Sequence, residues 1–113
     1  MEQNFRPVLT IRIFADEKCF GPGIAVLLQK VQELHSLRAA AMSIGMAYSK
    51  AWRIVNEAEG QLGCKLIERD GARGSSLTPA GERAIAAYEE LQADINNVIA
   101  TKANDLIASI NAE

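Results

Sequence analysis

Hydrophobic positions along this chain follow two different periods. From Ile24 the apolar residues Ile24, Leu27, Leu28, Val31 and Leu34 return every three or four positions, which places them on one face of an α-helix. Before them, Val8, Leu9, Ile11, Ile13 and Phe14 are mostly β-branched or aromatic and are interleaved with Thr10 and Arg12, which predicts a strand with those two on its wetter face. Gly21-Pro22-Gly23 separates the two patterns. Ser36 is suited to cap a second, short helix over 37–44, lined by Ala39, Ala40 and Ala41 and closed by Gly45. After the Gly45-Met46-Ala47 turn a third helix is predicted from Tyr48 to Leu62, with Ala51, Ile54, Val55, Ala58 and Leu62 inward and Gly63 at its end.

Downstream the pattern shortens and then lengthens again. Residues 64–69 read as a short strand through Leu66 and Ile67, 70–75 as a loop rich in glycine and charge, and Ser76-Leu77 as the returning strand, together a hairpin. Thr78-Pro79 supplies an N-cap followed by proline at the first helical position, opening a last helix that runs almost to the C-terminus. Its stripe is Ile85, Tyr88, Leu91, Ile95, Ile99, Leu106 and Ile110. The predicted fold is mainly α with a small β wing: a winged helix-turn-helix over 1–78, then a long C-terminal helix over 79–113. That helix carries more apolar surface than one small domain covers, so Tyr88, Leu91, Ile95, Ile99, Leu106 and Ile110 are assigned to dimerisation with a second copy.

The helix-turn-helix directs attention to the start of the third helix, where Tyr48, Ser49, Lys50 and Arg53 project from the exposed first turns. A recognition helix lies in the major groove of duplex DNA with its N-terminal residues at the base edges, where Arg or Lys donates to guanine and Ser to base or phosphate. Ser36 and Arg38, at the N-terminus of the second helix, are placed to hold a phosphate, and Arg69 and Arg73 in the wing to follow the adjacent backbone or minor groove. By charge pattern alone the same residues also describe a solvated helix face. Trp52 is expected to pack between the third helix and the wing.

Charge and composition change this picture little. Twelve Lys and Arg against fourteen Asp and Glu give a net charge of -2, so a nucleic-acid reading rests on where charges sit and not on their sum. Acidic residues gather at the end, where Glu89, Glu90, Asp94, Asp105 and Glu113 face a single Lys102. Cys19, Cys64 and His35 have no metal-ligand spacing, which leaves free thiols, no metal and no cofactor as the expectation. One histidine and scattered carboxylates, Glu57 and Glu59 among them on different sides of a helix, do not assemble an acid–base site, so no enzyme is expected. No apolar run reaches the roughly 20 residues of a membrane span and the N-terminus lacks signal-peptide regions, so no membrane partner and a cytoplasmic location are expected.

Several segments together resemble one family. Phe20-Gly21-Pro22-Gly23-Ile24, Leu27-Leu28, Gly45-Met46-Ala47-Tyr48-Ser49-Lys50-Ala51-Trp52, Glu59 with Leu62-Gly63, and Leu77-Thr78 with Ala80-Gly81 are similar to the N-terminal DNA-binding domain of the ModE-type molybdate-responsive regulators, a relative of the LysR-type winged helix. The resemblance implies a dimer on a pseudo-palindromic operator, with the helix from Tyr48 as reader and residues 69–75 as wing. The chain departs from the family at Ala47, where a capping serine is usual, and in a wing glycine run shortened to Gly71-Ala72-Arg73-Gly74. Loss of the cap implies a looser turn or a start re-capped by Ser49. With no strands following for a C-terminal oxyanion-binding region, molybdate sensing is not expected of these residues. The competing expectation is a winged-helix docking module for another protein, favoured if Glu57, Glu68 and Asp70 interrupt a basic face made by Arg38, Lys50, Arg53, Arg69 and Arg73.

Overall fold

The computed structural model describes residues 5–112. Nine elements follow in order: strands β1 (Ile13–Phe14) and β2 (Lys18–Phe20), helices α1 (Pro22–Leu34), α2 (Leu37–Ser43) and α3 (Tyr48–Leu62), strands β3 (Ile67–Arg69) and β4 (Ser75–Leu77) with a 3-10 turn (Gly71–Arg73) between them, and helix α4 (Pro79–Asn111). The predicted winged helix-turn-helix with a long final helix is the observed architecture.

The caps expected from sequence are in place. Ser36 Oγ accepts the Ala39 N–H at 3.0 Å at the start of α2, and Thr78 Oγ1 accepts the Gly81 N–H at 3.0 Å at the start of α4. Gly45 and Gly63 adopt positive φ after α2 and at the end of α3. Ala47 caps α3 with no side-chain bond, and the helix still starts at Tyr48, so Ser49 does not shift the start.

Leu27, Leu28 and Val31 of α1, Ala40 and Ala41 of α2, Ala51 and Val55 of α3, and Leu66 form the centre of the core. The alanines of α2 let α1 and α3 close on it without a side chain between. Leu34 and Leu62, assigned to inward stripes by spacing, are 44% and 42% exposed because each is the last residue of its helix and projects past the core.

The N-terminal strand is much shorter than expected. Only Ile13 and Phe14 pair, antiparallel to Lys18–Phe20, and Val8 is 76% exposed. A three-residue partner offers no ladder for Val8 to Arg12, so that stretch is held instead by the Tyr88 hydroxyl, which donates to the Ile11 carbonyl at 2.9 Å. Tyr88 is therefore corrected from a dimerisation residue to a core one: it is 5% exposed, and its ring lies 5.1 Å from that of Phe20.

The wing also starts later than predicted, at Ile67, because the backbone before it bonds elsewhere. The buried Glu59 carboxylate accepts the Leu66 and Ile67 N–H groups at 2.8 and 3.2 Å. The Thr78 hydroxyl donates to the Lys65 carbonyl at 2.7 Å, and the Thr78 N–H to the Leu66 carbonyl at 3.0 Å. Gly81 in the first turn of α4 lies directly against that same Leu66 carbonyl, where a Cβ does not fit. Three elements thus meet on the two peptide groups that join Lys65, Leu66 and Ile67.

Removing the carboxylate strands two buried N–H groups, each costing about 1–3 kcal/mol. Glu59→Ala is expected to lower unfolding free energy by about 3 kcal/mol in urea titrations, and Glu59→Gln, whose amide oxygen can accept both N–H groups as the single Oε2 atom does but without the charge, by clearly less. Equal stability of both variants and the wild type would show that these N–H groups find water instead.

Candidate nucleic-acid interface

The exposed surface of α3 is built on its inward stripe. Ala51, Val55, Ala58 and Glu59 are buried, which turns Ser49, Arg53, Asn56 and Gly60 outward and puts Lys50 and Glu57 on one flank and Tyr48 and Trp52 on the other. Asn56 was not singled out by sequence. It lies in the third turn, and only the fixed orientation of the helix shows that it shares the outer arc with Ser49 and Arg53.

On the wing side two guanidinium groups and two aromatic rings form a row. The Arg38 guanidinium lies 4.2 Å from the centre of the Tyr48 ring, Tyr48 and Trp52 meet edge-on at 6.4 Å, and the Arg69 guanidinium covers the Trp52 ring. Arg38 comes from α2, the rings from successive turns of α3, and Arg69 from β3, so the row spans the whole motif. Trp52 packs between α3 and the wing, as its position suggested. Arg38 and Arg69 remain exposed while their planes are held, which lowers the entropy lost when they engage an anion.

The other assigned residues differ in how free they are. The Ser36 hydroxyl accepts from Ala39, leaving its own hydrogen to donate. Arg73 ends the wing's 3-10 turn and is exposed. Gly74, at φ +106°, has no room for a Cβ because its α-carbon faces the His35 carbonyl, which also accepts the Ser75 N–H at 2.9 Å. The close approach it permits is to the α1–α2 turn of this same chain, and it fixes the wing beside Ser36.

One exposed carboxylate, Glu57, lies within this surface beside Lys50, and two more, Glu68 and Asp70, border Arg69 in the wing. Glu57 is held by Arg53 at 3.6 Å on the helix, and Glu68 alternates with Ile67 and Arg69 along β3. Asp70 is exposed at the foot of the wing turn. Among the described residues no group of three or more His, Cys, Asp or Glu is arranged to hold a metal, and no helix is long and apolar enough to cross a membrane.

Comparison with known proteins agrees with this fold. Residues 25–82 match the family described as bacterial regulatory helix-turn-helix protein, lysR family. The chain is 30% identical over 79 residues to the molybdenum-pterin-binding protein MopB of Rhodobacter capsulatus, an alignment covering 66% of this chain and 29% of that protein. The fold is similar to that in the crystal structure of the BenM DBD complex with benA site 1 DNA, with TM-score 0.59 and 22% identity over 73% of this chain and 93% of that one. It is also similar to the CbnR DBD–DNA complex, with TM-score 0.56 and 22% identity over 79% and 95% of the two chains. A LysR family transcriptional regulator gives TM-score 0.56 and 25% identity over 79% of this chain and 29% of that one.

The row of rings makes a measurable coupling. In a double-mutant cycle of Trp52→Leu and Arg69→Met, followed by denaturant unfolding, the pair is expected to show about 0.5–1 kcal/mol of interaction. Simple additivity of the two substitutions would show that the guanidinium gains nothing from the ring.

Proposed function

The chain belongs to the lysR family of bacterial regulatory helix-turn-helix proteins, a class of regulator and not of enzyme, and we propose that it binds double-stranded DNA as a homodimer on a pseudo-palindromic operator. The observation that carries this reading is the outer arc of α3, with Ser49, Arg53 and Asn56 exposed and Arg38 and Arg69 held on Tyr48 and Trp52 at its side. An arc of that width enters a major groove, where Arg53 suits guanine and Asn56 suits adenine. Lys50 flanks the arc, Ser36 and Arg38 meet the strand beside the groove, and Arg73 reaches from the wing to the next phosphates. The similar structures bound to DNA support the reading, as does their near-complete coverage by this chain. The segment from Tyr48 to Trp52 and the molybdenum-pterin-binding relative support a place beside ModE-type regulators.

The homodimer rests on α4. Leu91, Ile95, Ile99, Leu106 and Ile110 fall on one stripe of the helix, and Leu106 and Ile110 are 58% and 67% exposed. A helix that runs this far past its own core is marginal alone in water and gains most by pairing with its own copy. Two recognition helices related by a two-fold axis then read half-sites one helical turn apart or a multiple of it.

Fluorescence anisotropy with the DNA upstream of the gene and a scrambled duplex, across a salt series, tests this reading. Preferential binding of the upstream duplex is expected, with Arg53→Ala losing specific binding more than non-specific, and Arg73→Ala losing both alike with a flatter salt dependence. Failure to bind either duplex at low salt would replace DNA with a protein partner. For the dimer, Ile99→Asp with Leu106→Asp is expected to halve the mass in sedimentation while leaving the unfolding midpoint of the 5–90 region near wild type; an unchanged mass would remove α4 from the interface.

A further inference from the structure

The β1–β2 hairpin lies before residue 25, where the family match begins, and it packs on the flank of α3 opposite the wing. Between hairpin and helix runs a cleft of about 240 Å³, floored by Phe20, Ile24 and Ile54. Three cations border it, Lys18 from β2 and Lys50 and Arg53 from α3, against one carboxylate, Glu57, which Arg53 already holds at 3.6 Å. A fourth cation adjoins them. A Cβ built on Gly21 would lie 3.4 Å from Arg12 Cγ and 3.8 Å from Lys18 Cδ, so both stems converge over that glycine at the head of α1. Arg12 and Lys18 show no carboxylate partner among the described salt bridges.

Arg12, Lys18, Lys50 and Arg53 stand against Glu57 and the hairpin-turn carboxylates Asp16 and Glu17, so a protein of net negative charge keeps a local excess of one positive charge on this flank of α3. We propose that the hairpin is a second wing: Arg12 and Lys18, with Lys50, bind backbone phosphates on the strand that borders the major groove away from the β3–β4 wing. The inference rests on the DNA-binding reading and extends it to a segment that the family match does not include. With cations on each side, α3 is gripped by both strands lining the groove. Such contacts position the reader and carry no sequence information themselves. Lys50 then acts on phosphate and leaves base reading to Ser49, Arg53 and Asn56.

The test measures binding of the full chain to the upstream duplex and to a scrambled one as salt is raised, for wild type, Lys18→Ala, Arg12→Ala with Lys18→Ala, and Arg83→Ala, on α4 away from its apolar stripe, as a charge-matched control. Because a dimer carries each substitution twice, Lys18→Ala is expected to weaken both duplexes alike, about 10–100-fold, and to lower the slope of log K against log salt by about 1.8; the double variant should lower it by about twice as much. Arg83→Ala should leave the slope unchanged. Wild-type binding with a Lys18→Ala slope equal to that of wild type, or lowered no more than that of Arg83→Ala, overturns the second wing and leaves DNA binding standing. Absence of wild-type binding to either duplex overturns both. Thermal unfolding of each variant, expected within a few degrees of wild type, separates lost contacts from a lost hairpin.

Discussion

Two buried backbone N–H groups, those of Leu66 and Ile67, constrain this structure more than any other pair of atoms. They lie where the chain leaves α3 and before the wing ladder can satisfy them, and a buried donor must find an acceptor. Glu59 supplies both bonds from the last turns of α3. Because the acceptor belongs to the helix, the wing cannot swing without breaking them, and the flanking carbonyls of Lys65 and Leu66 are simultaneously taken by Thr78. Lys65 itself, 3.7 Å from Glu59 and largely exposed, adds little to the energy of this junction. Reader, wing and final helix are therefore fixed to one short piece of backbone, and their relative directions follow from it.

Once the wing root is fixed, the surface row follows. Arg69 sits two residues beyond Ile67 on the same strand face, so anchoring Ile67 delivers its guanidinium to the Trp52 ring. The far edge of the wing is set by Gly74 and Ser75 against the His35 carbonyl, and His35, itself at φ +57°, ends α1 immediately before the Ser36 cap. The two ends of the wing are thus tied to α3 and to the α1–α2 turn. Each cation–π contact is worth only about 0.5–1 kcal/mol at an exposed site. Their larger effect is to hold Arg38 and Arg69 in place before any partner arrives.

How much of this the sequence disclosed depends on whether a residue's role is local. The caps at Ser36 and Thr78, the bounds of α3 and its inward stripe were legible because each is set by neighbours three or four residues away. Glu59 was not, since two glutamates two apart on a helix look solvated, and only the returning backbone at Leu66 makes one of them an internal acceptor. Lys18-Cys19-Phe20 has no alternation from which a strand can be read; its pairing depends on the turn that brings it back to Ile13. Tyr88 shares a helix face with Leu91 and Ile95, and nothing along the chain marks where the core stops and the free stripe begins. For Arg38, Arg53 and Arg69 the sequence showed the charge, but their packing against rings and Glu57 is tertiary. Asn56 needed the helix orientation before it could be counted at all.

The overall acidity of the chain is compatible with an anionic partner because its charges are segregated by the fold. Arg12, Lys18, Lys50 and Arg53 lie together around the outer part of α3, with Arg38 and Arg69 on its other flank. Glu89, Glu90, Asp94 and Asp105 lie along α4, which carries the molecule to an extent of 64 Å against 32 and 21 Å in the other directions. At physiological salt a charge is screened over about 8 Å, so the carboxylates on the far part of α4 act little on the core end of the molecule. The same segregation limits what α4 can pair with: its apolar stripe is flanked by carboxylates, and in a dimer those of the two copies must lie apart.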